Sequence, residues 1–504
     1  MEVTANISVN LLRLSRIFVF QSPFGVKANL LRVVASVPPT RMDAPPSERS
    51  RVYFLLAWLH MSVLERLRYC PIGWSKPYDF NESDFRCALD TVDTWIDRHA
   101  KGSSHLSPES IPWAALRRLL CESVYGGRVD NEFDRYTLES LIDQLFNPQS
   151  FDVSYSPVSE PNLRRLLTFP DTTRRETFLE WIESLPEQPD PRWLGLPSTV
   201  DKTLLLLQEE TFVSKLSKLQ GDMVDSVRLA DEETAGVPLP TRMSVLRSTV
   251  QQWLSALPTS LRIPELHETN QSDPLSRYFQ REVRYGQNLL NAIRNDLLAV
   301  EEVYSGTKKQ ENHVRFLMVS LVRGIIPDTW NRHVVPSTIT VSKWLSDFSE
   351  RLVQWDNIAL DKWEPRKLWL GGLCSPSAFI TAFRQRISRE TRIPVDELQL
   401  QIELNSSNCV DTGKTFPIGG LFCYGAKAHE NTFLLVEEPD NEEIEVKMSW
   451  TRTSDRRQEA TCKIPAYLYS TREQLLFSFE VDLPPHVSSA SYYQRGVALF
   501  CSKL

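Results

Sequence analysis

Eight consecutive residues near the C-terminal end, Cys409-Val410-Asp411-Thr412-Gly413-Lys414-Thr415-Phe416, overlay two pieces of catalytic chemistry. Asp411-Thr412-Gly413 is the tripeptide that carries the carboxylate of an aspartic protease. Gly413-Lys414-Thr415 is the end of a phosphate-binding loop. That loop has the spacing G-x-x-x-x-G-K-[ST], because its glycines let backbone N–H groups wrap the phosphates, and it opens a helix. Counting back from Gly413, the first glycine falls on Asn408, and Phe416-Pro417-Ile418-Gly419-Gly420 follows, which is no helix start of that kind. The protease needs two carboxylates sharing one proton. The chain holds no second Asp-Thr-Gly or Asp-Ser-Gly, so only a homodimer supplies the partner, and Lys414 puts a charge where a shielded dyad disfavours one. The plain reading is a turn, Asp-Thr-Gly-Lys between two strands, with Gly413 free to take a positive φ.

Other chemistry-bearing residues are scattered. His267-Glu268 and His429-Glu430 each lack the second histidine of H-E-x-x-H, and there is no G-x-S-x-G elbow. The eight cysteines, Cys70, Cys87, Cys121, Cys374, Cys409, Cys423, Cys462 and Cys501, contain no C-x-x-C pair. Free thiols in a reducing compartment are the expectation, which makes the sequon Asn81-Glu82-Ser83 a chance match. The sequence therefore predicts no catalytic residue, no cofactor-binding residue and no metal ligand.

At 504 residues the chain has room for roughly three domains of about 150 residues. Its 57 Lys+Arg stand against 64 Asp+Glu, a net charge of −7, with no dense basic run, which argues against nucleic acid as a partner. Glu2, Arg13 and Arg16 break up the N-terminal apolar stretch, so no signal-peptide core forms. The longest nearly apolar run, Val52 to Leu64, contains His60 and Ser62 and falls short of the roughly 20 residues a membrane span needs. These features predict a soluble, cytosolic protein without membrane insertion.

The positioning elements change character along the chain. Ile17-Phe18-Val19-Phe20 reads as a strand ended by the turn signal Gln21-Ser22-Pro23. From Val52 to about Leu145 the pattern is helical, with Phe54, Leu55, Trp58, Leu59 and Val63 at helical spacing. Ser107 before Pro108 reads as an N-cap, and Gly126-Gly127 as a break. Residues 151 to about 365 are mostly helical, interrupted by the acidic stretch Gly221 to Pro240, which reads as a loop. Val341, Trp344, Leu345, Phe348 and Leu352 share one helix face; Phe379, Ile380, Phe383 and Ile387 form a second stripe after Ser375-Pro376. Beyond residue 395 the period becomes two: Leu398, Leu400, Ile402, Leu404; then Ile444, Val446, Met448, Trp450; then Phe477, Phe479, Val481, Leu483. Alternation means strands with one buried face. The predicted class is α+β: helices first, then an antiparallel, barrel-like β-rich cap.

Longer stretches carry a resemblance. Gly73-Trp74-Ser75-Lys76-Pro77-Tyr78-Asp79-Phe80-Asn81-Glu82-Ser83-Asp84, Ile111-Pro112-Trp113 and Tyr125-Gly126-Gly127-Arg128-Val129-Asp130 resemble the lid of the sixth AAA+ module of dynein heavy chains. Trp193-Leu194-Gly195-Leu196-Pro197, the run Leu370 to Ala382 (LGGLCSPSAFITA) and Arg495-Gly496-Val497-Ala498-Leu499 are similar to the same family. Val9-Asn10-Leu11-Leu12-Arg13 and Arg16 to Phe20 resemble the end of that module's large subdomain, and Gly25 to Arg32 the start of its lid. Gln21-Ser22-Pro23 departs from the family, which has an acidic residue and prolines there. Trp74-Ser75-Lys76 and the Cys501 ending fit the cytoplasmic branch better than the axonemal one.

The resemblance implies residues 1–32 as a remnant of the large subdomain and start of the lid, 33–150 as the helical lid, 151–365 as the helical part of the C-terminal domain, and 366–504 as its β-rich cap. It implies a non-catalytic part of an ATP-driven, minus-end-directed microtubule motor, without Walker A or B motifs of its own. ATP and Mg²⁺ would belong to upstream modules. The implied partners are the remaining AAA+ ring, the intermediate, light intermediate and light chains through regions absent here, and the microtubule through an absent stalk. The implied location is the cytoplasm and the microtubule cytoskeleton. Since a family lid packs on neighbouring modules, an apolar docking face is expected within residues 52–145, with Val52 to Leu64 its candidate. A sensor-like part for Arg32 is a further expectation. Starting at Met1 inside a AAA+ subdomain suggests a fragment or truncated gene product, because it leaves Ile17 to Phe20 as a strand without its sheet. The alternative is a stand-alone interaction scaffold that keeps this architecture without motor activity.

Overall fold

A computed structural model describes residues 9–16, 25–158, 161–164, 167–209, 212–213, 216, 239–263, 272–330, 339–361, 365, 367–404, 415–429, 432–437, 443–452, 461–484 and 487–502. The strand expected at Ile17 to Phe20 and the loop expected from Gly221 lie outside them, apart from the last two residues of the latter. The chain divides into two compact units. The first comprises Met1–Arg68 and Tyr78–Leu194, the second Tyr69–Pro77 and Gly195–Leu504. The first unit thus runs past residue 150 to Leu194.

The first unit is built around the helix Glu48–Arg66. Every residue from Arg51 to Val63 is buried, as happens when a helix is apolar on all sides and its neighbours surround it. Phe54 stacks on Phe178 at 4.5 Å and meets Phe169 and Trp181 edge-on at 5.1 and 5.6 Å. Trp58 also meets Phe169 edge-on, at 5.0 Å. The dense run is thus a core and not the docking face expected of it: the chain's own aromatic residues cover it. Lys27 Nζ donates to the Glu183 carbonyl at 2.7 Å, and Arg175 donates to the Ala35 carbonyl at 2.8 Å, so the helix Arg175–Glu183 lies along the helix Val26–Ser36.

A ladder of charges holds the next layer. The helix Glu82–Ala100 starts in a capping box, in which Asn81 accepts from the Ser83 N–H at 3.0 Å and the Asn81 N–H donates to Asp84 at 2.9 Å. Its acids Asp90, Asp93 and Asp97 then repeat along one face. Arg41 bridges Asp90 and Asp93 at 2.6 and 2.7 Å, and Arg49 reaches Asp93 at 2.5 Å and also holds Asp97. The Tyr53 hydroxyl donates to the same Asp93.

His60 lies in this core, with Nδ1 3.1 Å from the Tyr125 hydroxyl and its ring against Phe85. Burial, helped by the charge of Arg32, brings its pKa down to about 4. Because the folded value lies below the unfolded one, the unfolded chain takes up the proton first as pH falls. The stability His60 allows is complete above about pH 6.5 and drains away towards pH 4. Lowering the pH from 7 to 5 should cost the first unit about 2 kcal/mol through this group. His60→Gln should flatten that part of the curve, read as urea midpoints against pH; an unchanged slope refutes the assignment.

In the second unit the helix Val341–Leu360 buries Val341, Trp344, Leu345, Phe348 and Leu352, the face its sequence marks out. The helix Pro376–Thr391 buries Phe379, Phe383 and Ile387 and lays Phe379 and Phe383 against Phe416 at 5.3 and 5.6 Å. Ser375 stands at its N-cap position without a side-chain capping bond. Among the described residues nine strands are present: β1 Leu368–Trp369, β2 Leu398–Leu404, β3 Thr415–Tyr424, β4 Ala426–His429, β5 Thr432–Leu435, β6 Glu443–Arg452, β7 Thr461–Tyr467, β8 Leu475–Asp482 and β9 Ala498–Phe500. They form one sheet in the order β2-β6-β3-β9-β7-β8-β5-β4, with β1 beside β3.

The α+β class holds, but the cap is mixed and open where an antiparallel barrel was expected. β1–β3, β5–β8 and β7–β9 pair in parallel. The connection from β8 passes through the helix Ser489–Gln494, which lets β9 settle on the far side of β7. Among the described residues β2 meets β8 through side chains, Gln399 to Glu480 at 3.4 Å, with no backbone ladder between them. No helix among the described residues is long and apolar enough to cross a membrane.

Candidate functional site

Asp411, Thr412, Gly413 and Lys414 lie outside the described residues, as do His267, Glu268 and Glu430. Their flanks are informative. Thr415 opens β3 and stands opposite Ser449 of β6, with Phe416 opposite Met448. In a phosphate-binding loop that threonine would open a helix, whose N–H groups and dipole hold the phosphate. Here its backbone belongs to a sheet. β2 and β3 lie on opposite sides of β6. His429 ends the edge strand β4. Among the described residues no group of three or more His, Cys, Asp or Glu side chains is arranged to hold a metal ion.

A cavity of about 540 Å³ opens in the second unit where β1, β3 and the helix Val341–Leu360 converge. Trp369 forms part of its wall, and glycines make room for that ring. A Cβ on Gly420 would fall 2.3 Å from the Trp369 ring, and one on Gly372 would fall 2.5 Å from it. A Cβ on Gly371 would fall 1.9 Å from the Cys501 carbonyl, the acceptor of the Trp369 indole N–H at 2.7 Å. These packing demands explain the glycines of Leu370-Gly371-Gly372-Leu373. Gln354 closes the joint, donating to the Trp369 carbonyl at 3.0 Å and accepting its N–H at 2.8 Å.

The charged groups at this cavity are largely committed. Lys367 sits between Glu443 and Glu445 at 3.4 and 2.5 Å. Asp347 accepts from Arg351 at 2.6 Å, and the Arg351 guanidinium also lies 5.6 Å from the Trp369 ring. Burial alone would lower the Arg351 pKa, yet the neighbouring Asp347 carboxylate keeps it above the ordinary arginine value. Ser346 and Ser502 line the same space, and no histidine is among its lining residues. The arrangement joins a helix, a sheet and the residues around Cys501.

The other distinctive stretches are structural in the same way. Gly126 ends the π-helical turn Leu120–Val124, where a Cβ would fall 1.4 Å from the Cys121 carbonyl. Arg128 then bonds Asp84 at 2.9 Å, and the Tyr78 hydroxyl bonds Asp134 at 2.6 Å. Trp74 is fully buried. Its segment belongs to the second unit together with Arg495-Gly496, where Gly496, at φ +65°, leaves room for the Ile72 carbonyl. Residues far apart in sequence thus fit one another by shape.

Two family models match in succession. Residues 49–200 match the AAA lid domain of the dynein heavy chain, and residues 208–501 match its C-terminal domain. The protein belongs to the dynein heavy chain family. It is 40% identical to the cytoplasmic dynein heavy chain of Drosophila melanogaster over all of its length, and 37% identical to that of Dictyostelium discoideum over 99%. Identity to the dynein axonemal heavy chain 5 of Mus musculus is 24% over 99% of the sequence, which favours the cytoplasmic branch. In each case the match spans only 11% of the relative. The glycine, tryptophan and capping motifs described above fall within these two matched ranges. Arg32, whose sensor-like part was an expectation, lies on the helix Val26–Ser36 with Nη1 4.0 Å from Glu82.

Proposed function

We propose that this protein serves as a non-catalytic C-terminal portion of a cytoplasmic dynein heavy chain, with a structural and regulatory role on the AAA+ ring of a minus-end-directed microtubule motor. The observation that carries the reading is the reach of the two family matches: a lid and a C-terminal domain, and no ATPase module. The joint at Trp369 supports it, since its charges are spent on holding elements together. On this reading ATP and Mg²⁺ are bound by other modules of the heavy chain. The ring is the immediate partner, and accessory chains and the microtubule engage other regions. The working location is the cytoplasm, on microtubules.

The purified protein should release phosphate from ATP no faster than buffer, with or without microtubules. Turnover that follows the protein through size-exclusion chromatography would overturn the non-catalytic reading.

A further inference from the structure

The sequence has no dense basic run, yet folding assembles a basic stripe. The helix Pro274–Tyr304 carries Arg277, Arg281 and Arg284 at intervals of four and three residues. At about 100° per residue they fall within an arc of roughly 60°. All three are exposed, on the side opposite the buried Leu275, Phe279, Val283 and Gly286. Asn288, Asn291 and Asn295 continue the same exposed line.

Elsewhere this protein pairs its helical arginines four residues away. Arg86–Glu82, Arg118–Glu122, Arg351–Asp347 and Arg386–Glu390 all close between 2.6 and 3.0 Å. Around the stripe the positions three and four residues away hold no available acid. Asp273 is engaged with Ser276, through its N–H at 2.9 Å and its hydroxyl at 2.7 Å. Among the described residues none of the three arginine side chains has an ion-pair or hydrogen-bond partner. Like charges at this spacing oppose helix formation. In a protein with 64 acids against 57 bases, such a stripe is left for something outside it.

A cavity of about 240 Å³ opens beside Arg281, lined also by Tyr278, Glu282, Tyr285, Cys374, Ser375 and Ala378. Its walls are fixed: the Tyr278 hydroxyl donates to the Ser375 carbonyl at 3.1 Å, and Glu282 turns inward to accept the Cys374 N–H. The space suits one side chain, being smaller than ordinary small-molecule sites.

We propose that the Arg277–Arg281–Arg284 stripe and this cavity form a docking surface for an Asp/Glu-rich segment of a partner protein. Guanidinium forks bind carboxylates bidentately, and their spacing along the helix matches acids repeated along a peptide. The chemistry favours a peptide over the other polyanions. The arginine line itself carries no aromatic ring for base stacking, and beside it Tyr278 is buried and Tyr285 half-buried. The first exposed large hydrophobic residue of this helix is Leu298, well beyond the stripe, which leaves no wedge for a lipid surface.

The test is fluorescence anisotropy of a labelled short polyglutamate peptide titrated with the full 504-residue protein at low and at physiological salt. Binding should weaken with salt. The combined Arg277→Gln, Arg281→Gln, Arg284→Gln variant should weaken it by about tenfold or more, since three charge-assisted bonds are lost together. Arg98→Gln with Lys101→Gln in the first unit should leave it unchanged. The arginines are exposed, so matched thermal melts will confirm intact folding. Absent binding, equal affinity in the triple variant, or equal loss in the distant pair overturns the proposal. Tighter binding of a single-stranded oligonucleotide or of phosphatidylserine vesicles, lost in the same triple variant, also overturns it.

Discussion

Phe54→Ala is expected to destabilise the first unit by about 4 kcal/mol, within the range for truncating a fully buried aromatic side chain. Phe54 is completely buried and touches three other aromatic rings, Phe169, Phe178 and Trp181. All three come from the segment after residue 150, so the substitution removes the wedge that binds that segment to the central helix. The cavity left behind cannot close easily, because Phe169 is held on its other side by Trp58 and Tyr155. Urea unfolding followed by tryptophan emission reads the effect, and limited proteolysis reads its location. Cleavage should begin between residues 167 and 185. A loss below about 1 kcal/mol would mean that this segment does not depend on the cluster.

Asp93→Ala is expected to cost about 3 kcal/mol, the lower end of what breaking a buried ion pair costs. Asp93 is shared by Arg41, Arg49 and the Tyr53 hydroxyl. Burial would lower the Arg49 pKa, but its bonds to Asp97, Tyr53 and Asp93 hold it above the ordinary arginine value. Removing Asp93 leaves that guanidinium buried with only part of its compensation. The Arg41 side chain is 31% exposed, so water recovers some of its share, which sets the estimate below that of a sealed pair. A double-mutant cycle with Arg49→Met separates the pair from the desolvation it carries: the double variant should be more stable than Asp93→Ala alone. A double variant no better than the single one would place the effect elsewhere.

Local pattern was a good guide wherever one face of an element meets a core. The stripes Val341 to Leu352 and Phe379 to Ile387 are buried as their spacing demands, and β2 alternates buried and half-buried residues along its whole length. At the end of the octet, Thr415 and Phe416 open a strand and take the alternating burial of the cap. Asp411 to Lys414 lie outside the described residues, so the expected turn itself has no structural account. The long ordered motifs pointed to the dynein heavy chain family, which the lid and C-terminal matches bear out.

The sequence by itself determined the family, the α+β class and the faces of the regular elements, because periodicity and ordered motifs are local properties of the polypeptide. Tertiary structure decided the rest. Whether Val52 to Leu64 faces a neighbour or the protein's own Phe169, Phe178 and Trp181 depends on residues more than a hundred positions away. Strand alternation fixes which side chains are buried but not strand order, so the parallel entry of β9 beside β7 and the open edge at β2 had no local signature. The arginine stripe is the same case reversed. Its spacing was present in the sequence, but only folding shows that no acid among the described residues comes to meet it.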